Sequence, residues 1–136
     1  MDPVCHFEIP FDDIDRASKF YNEVFGWQIM AAPGDIPYHF AITTEVDEQM
    51  RPKESGSING GLYQRSDEGV SRTPVIVLAV DDCEQRVKDV QAAGGSMVVP
   101  AVPVGDMGIY AQVKDSEGNI IGLWQELAAH QEKREG

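Results

Sequence analysis

The stretch Pro10–Ile29, "PFDDIDRASKFYNEVFGWQI", decides how the rest of the chain is read, because a second stretch answers it. Moved along by 69 residues, it meets Ala79–Val98, "AVDDCEQRVKDVQAAGGSMV". Asp12 and Asp13 fall on Asp81 and Asp82, Lys19 on Lys88, and Gly26 on Gly95. Just upstream, "HFEI" at His6–Ile9 falls on "VIVL" at Val75–Leu78. A further echo closes each half: "GLYQ" at Gly61–Gln64 and "GLWQ" at Gly122–Gln125, here 61 residues apart. The second half is therefore shorter in its middle. Matches kept in the same order identify a duplication, and self-similarity at a long period governs architecture.

Each half carries one plan. In "VCHFEIP", Cys5, Phe7 and Ile9 alternate with His6, Glu8 and Pro10, which suits a strand with one face buried. Asp12 or Asp13 then supplies a helix N-cap, since a short carboxylate accepts the unpaired backbone N–H groups. Ala17, Phe20, Tyr21 and Val24 recur at helical spacing as one apolar stripe, and Gly26 stops the helix where a left-handed residue is wanted. Strands are expected at Trp27–Ala31, Tyr38–Thr43 and Ser57–Arg65. In the second half, "TPVIVLAV" reads as a strand and Asp82–Ala93 as a helix with Val87 and Val90 inside and Gly94-Gly95 as its stop. "SMVVP", "GIYAQVKD" and "NIIGLWQE" supply three more strands. The plan is βαβββ twice, an α+β fold. Module one covers about 1–66, module two about 73–127, and a tail 128–136. Two such modules can curl around a shared cleft as one domain.

The polar run Thr44–Ser57, "TEVDEQMRPKESGS", reads as a loop, either a lid over a site or an inert insertion. The tail "LAAHQEKREG" is expected to form a short surface helix or to fray, with His130 solvated.

The formal charge of -12, from 11 basic and 23 acidic residues, repels nucleic acid and anionic membrane. No apolar run is long enough to cross a bilayer, and "MDPVCHFEIP" shows no basic region followed by an apolar core. Cytoplasm is the expected compartment. Cys5 and Cys83 form no CxxC pair and read as reduced thiols. Cys83 in the first turn of a helix could have a lowered pKa, but its position on the buried stripe favours plain packing.

With the "FYNEVFGW" helix and the "DSEGNIIGLWQ" ending in place, the chain resembles the vicinal oxygen chelate superfamily. That superfamily includes glyoxalase I, bleomycin-resistance proteins and extradiol dioxygenases. The resemblance implies paired βαβββ modules, a tendency to form homodimers and, in the metalloenzymes, a divalent cation held by His and Glu on the first and last strands of each module. Carried over singly, those four positions fall on His6, Gly61, Val75 and Gly122. One donor of four remains, and a lone imidazole does not hold a catalytic divalent cation. Neither a metal nor another cofactor is expected.

The glycines are expected to open space on the cleft floor. The ligand pocket is then predicted at His6, Glu8, Tyr63, Tyr110, Gln112 and Trp124, with Trp124 either walling the hollow or filling it as core. His6 and Glu8 are the only catalytic candidates. In one reading Glu8 raises the His6 pKa and the two form an acid–base pair. In the other, which is favoured, His6 is a satisfied core histidine. His39, between Tyr38 and Phe40, reads as structural. The expected function is metal-free binding of a small organic molecule. The alternatives are a lyase, isomerase or dioxygenase with a rearranged site, or a non-catalytic dimeric interaction or stress-response domain.

Overall fold

The computed structural model describes residues 1–34, 37–66 and 72–127. The elements run β1 (Val4–Phe11), α1 (Ile14–Phe25), β2 (Gln28–Ala31), β3 (Tyr38–Ile42), β4 (Gly60–Gln64), β5 (Val75–Ala79), α2 (Cys83–Ala92), β6 (Ser96–Val104), β7 (Gly108–Lys114) and β8 (Ile120–Glu126). This is βαβββ written twice, an α+β fold. The chain divides into two compact units, His6–Pro74 and Met1–Cys5 with Val75–Gly136.

In the first unit, β1 and β4 are parallel neighbours, and β3 and β2 continue antiparallel from β4. In the second, β5 and β8 are parallel, and β7 and β6 follow antiparallel. The two modules therefore share strand order and strand sense. Asp13 and Asp82, matched by the 69-residue shift, are the N-caps; each carboxylate accepts a backbone N–H three residues on, from Arg16 at 3.1 Å and Gln85 at 3.0 Å. Asp82→Ala is expected to cost about 1 kcal/mol, read as a lower urea midpoint with an unchanged slope.

Helix α1 ends as predicted, with Gly26 at φ 75° and its N–H donating to Asn22 O at 3.0 Å. In the second copy the left-handed residue is Gly94, at φ 102°, one place before the match of Gly26. Gly95 instead lies under the Lys114 carbonyl and Val90, where a Cβ has no room. The expected strand at Ser57–Arg65 shortens to Gly60–Gln64. Asn59 explains the late start: its side-chain oxygen accepts from the N–H groups of Thr43 at 2.8 Å and Thr44 at 3.1 Å. Strand β6 runs beyond "SMVVP" to Val104, and register shifts between Met97 and Val102 accommodate Pro100, which has no N–H to give the ladder.

The cores differ. In the second unit Cys83 and Val87 of α2 pack with Val80, Ala111, Val113 and Leu123. In the first, Ala41 and Leu62 are fully buried, yet α1 buries no residue; Phe20 and Val24 are 53% and 58% exposed. The stripe read from the sequence is thus present but mostly uncovered in this chain. What holds α1 is its aromatic end, where Tyr21 stacks on Trp27 at 4.8 Å and Trp27 meets Phe7 at 5.5 Å.

The loop at Thr44–Ser57 is closed on itself. Asp47 accepts from the N–H groups of Gln49 and Arg51, and Val46 bridges Pro52. Residues 1–5 are stitched to the second unit: Ala79 N–H donates to Pro3 O at 2.9 Å, and Arg86 pairs with Asp2 at 2.6 Å. The predicted tail and His130 lie outside the described residues.

Candidate functional site

The echoed word "GL-aromatic-Q" has a physical role at each letter. Leucine faces the helix side and is core, Leu62 fully buried and Leu123 at 3% exposure. Glutamine, two residues on and on the same face, reaches the start of its own helix. Gln125 Oε1 accepts from the Cys83 N–H at 2.9 Å, and Gln64 Nε2 lies 3.4 Å from the Phe11 carbonyl. Glycine and the aromatic residue point the other way, toward the candidate site.

On that face of the first unit, β1 presents His6 and Glu8, β4 presents Gly61 and Tyr63, and β3 presents Tyr38 and Phe40. Glu8 is opposite Gly61, which is opposite Phe40; Tyr38 is opposite Tyr63. Tyr38 is the residue that organises the group. Its hydroxyl and His6 Nε2 share a 2.8 Å hydrogen bond. A Cβ added to Gly61 would overlap that same hydroxyl and the ring carbon bearing it. The glycine therefore does not leave a hollow, as the sequence suggested; it makes room for a phenol from the neighbouring strand.

The second unit repeats the device less tightly. Tyr110 lies opposite Trp124, and Gln112 opposite Gly122. A Cβ on Gly122 would stand 2.9 Å from Val77 Cγ2 and 3.1 Å from the Tyr110 hydroxyl. Gln112 Nε2 donates to that hydroxyl at 2.9 Å. Trp124 is half-buried, its ring lying over Gly108, where a Cβ would strike it.

The electrostatics correct one expectation. Burial pushes the His6 pKa down from 6.5 to about 4, against a smaller upward pull from a hydrogen bond with the Asn59 backbone. Glu8 does not set it, and the imidazole is neutral at pH 7. With one ring nitrogen engaged by the Asn59 backbone, the neutral ring is left to accept the Tyr38 proton at Nε2. Glu8 itself is only 8% exposed and Pro10 is buried too, so the polar face of β1 is as well covered as its apolar one. Cys83 is fully buried, and that pushes its thiol up to about 11 in spite of its place at a helix start; the packing reading holds.

Candidate residues thus fall into two groups, His6, Glu8 and Tyr63 in one unit and Tyr110, Gln112 and Trp124 in the other. Tyr63 also reaches the Thr73 carbonyl at 3.3 Å, a loop tie. Sequence reasoning missed Tyr38. Extending the repeat through the middle strands would have found it, because "YHF" and "YAQ" stand 72 residues apart and align Tyr38 with Tyr110. Of the four positions that hold a metal in related metalloenzymes, Val75 and the two glycines offer no donor and His6 is bonded to a phenol. Among the described residues, no group of three or more His, Cys, Asp or Glu could hold a metal ion. The donor set does not fit a divalent cation.

The chain is similar to known proteins. A family profile described as "Bleomycin resistance protein-like N-terminal" matches residues 4–36. A "Probable lactoylglutathione lyase" of Vibrio parahaemolyticus is 30% identical over 129 residues, covering 93% of this chain and 92% of that protein. The chain belongs to the vicinal oxygen chelate superfamily. A "Putative glyoxylase CFP32" of Mycobacterium tuberculosis is 29% identical over 117 residues, covering 83% of this chain. This vicinal oxygen chelate chain spans 41% of that relative's length, and likewise of its Mycobacterium bovis counterpart. A solved Streptomyces coelicolor methylmalonyl-CoA epimerase, in complex with 2-nitronate-propionyl-CoA, superposes with a TM-score of 0.62 at 17% identity, over 93% of this chain and 95% of its own. That likeness is one of fold. Among the described residues no helix is long and apolar enough to cross a membrane.

Proposed function

We propose that the chain binds a small organic molecule without a metal ion, in the manner of the bleomycin-resistance branch, as a cytoplasmic homodimer. One observation carries the reading. The single surviving metal-ligand position, His6, spends its Nε2 on the Tyr38 hydroxyl, and that hydroxyl fills the volume of the missing carboxylate at Gly61. A neutral imidazole, phenols and a carboxamide are groups that bind by hydrogen bonding and stacking, the usual lining of a small-molecule pocket.

The test is a melting screen of the purified protein against metabolites and antibiotics, run beside elemental analysis. At least one compound is expected to raise the melting temperature saturably, by several degrees near 100 times its Kd, with metal below stoichiometric amounts. Stoichiometric zinc, nickel, iron or manganese with a metal-dependent melting temperature would refute it. Sedimentation checks the dimer.

An enzyme is the second reading, favoured by the lyase name of the 30%-identical relative. In that case His6 and Glu8 would be the acid–base groups, and His6→Ala would abolish turnover that the wild type shows.

A further inference from the structure

One polar side chain in the second unit is buried with part of its capacity unmet. Gln112 is 5% exposed; its Nε2 donates to the Tyr110 hydroxyl at 2.9 Å, while its Oε1 has no hydrogen-bond partner. Turning the amide over moves the problem without removing it. Oε1 would then accept the phenol proton, and the NH2 group would be the unpaired end. Buried carboxamides are ordinarily satisfied at both ends, so an open end calls for an explanation.

The fold does not require a glutamine there. In the first unit the same register position, opposite the closing-strand glycine, is Phe40. An apolar residue serves the strand at one copy, and the other copy keeps a polar residue with an unmet atom. His39 Nδ1 is also buried without a partner, but it lies on the helix side, edge-on to Phe11 at 5.8 Å, away from the candidate residues. Gln112 instead has Gly122 opposite it and Tyr110 two residues back on its own face, with Trp124 beside them. None of these three is an acidic or basic residue, and two are aromatic.

We infer that Gln112 is a ligand-recognition residue. Its open amide end takes a hydrogen bond from an uncharged planar molecule presenting an amide-type N–H, stacked near Trp124 and Tyr110. Tyr110 holds the other end and fixes the direction of the carboxamide. This rests on the binding function proposed above and narrows its ligand class.

Two measurements test it. The first needs no ligand. Gln112→Met, of similar length and without polar atoms, is expected to melt at the wild-type temperature or above, because it removes an unmet buried atom. A fall of several degrees would mean that the amide serves the fold, or holds an ordered water only, and would overturn the assignment. The second uses benzamide against N,N-dimethylbenzamide, which lacks the N–H. Benzamide is expected to move the Gln112 side-chain amide resonances and to bind at least tenfold more tightly than its dimethyl analogue, the difference vanishing in Gln112→Met. Equal binding of the two, or unmoved resonances with both, would overturn it. Should the screen still yield a compound that stabilises wild type and Gln112→Met alike, binding stands and only the role of Gln112 falls. If no compound stabilises either protein, both proposals fall together.

Discussion

Gly61→Glu is expected to destabilise the protein by at least about 3 kcal/mol, a large part of the roughly 5–15 kcal/mol that holds a domain of this kind. The substitution restores the carboxylate of related metalloenzymes, yet it cannot restore their site. Gly61 is buried, and its Cβ direction runs into the Tyr38 hydroxyl. Any side chain there must drive Tyr38 off its rotamer and break the bond to His6, which as overpacking alone costs about 1–3 kcal/mol. Glutamate adds a charge with no cation to meet it. Gly61→Ala separates the two contributions and should show the steric part alone. Gly122→Ala should cost less, since its nearest neighbours are 2.9 Å and 3.1 Å away and belong to side-chain ends. Urea denaturation of the three variants gives the order. If Gly61→Glu proves as stable as wild type and gains stability with added nickel or zinc, the phenol is not filling the ligand position, and the metal-free proposal goes with it.

The second large effect is acid sensitivity. His6 holds its proton less tightly folded, at about 4, than unfolded, at 6.5. The unfolded chain therefore takes up a proton first as pH falls, so stability drops through the window from 6.5 to 4 and is full only above it. The slope approaches 1.4 kcal/mol per pH unit, and about 3 kcal/mol is lost by pH 4. Carboxylates also titrate toward the lower end of this range, so the readout is a difference. His6→Gln should remove this part of the acid slope while the rest remains. Equal slopes in wild type and variant would show that the imidazole is not held neutral by its surroundings. The sign also separates the two readings of His6 in the sequence. An imidazolium held by Glu8, with its pKa raised, would instead make the protein gain stability as pH falls toward 6.5, and this group would then contribute no slope between 6.5 and 4.

The duplication and its elements were legible because they depend on local, repeated signals: two Asp caps, helical spacing, and turns. The family followed from the same residues. The site was half legible. His6 and the two glycines could be placed by the repeat, but what lies beside a glycine is decided by the next strand, and no periodicity reports it. Tyr38 reads as a structural neighbour of His39 for that reason. Burial misled in both directions. The alternation in β1 reads as one buried face, yet Glu8 on the other face is nearly inaccessible; the apolar stripe of α1 reads as buried, yet Phe20 and Val24 are open. Alternation tells which residues share a face and is silent on what covers it. The direction of the His6 shift had the same obstacle, since it follows from burial and not from the carboxylate two residues away.

The residues before His6 have a consequence for dissecting the gene. The duplication invites a cut between the halves and expression of each alone. A second half starting at Val75 would lack Pro3 and Asp2, leaving the Ala79 amide and the Arg86 guanidinium without the groups that meet them. A faithful half-protein would need its opening pentapeptide grafted on. Circular permutants broken between the two halves, with the old ends joined, would keep that pentapeptide tethered only if the joining peptide left Asp2 and Pro3 in place.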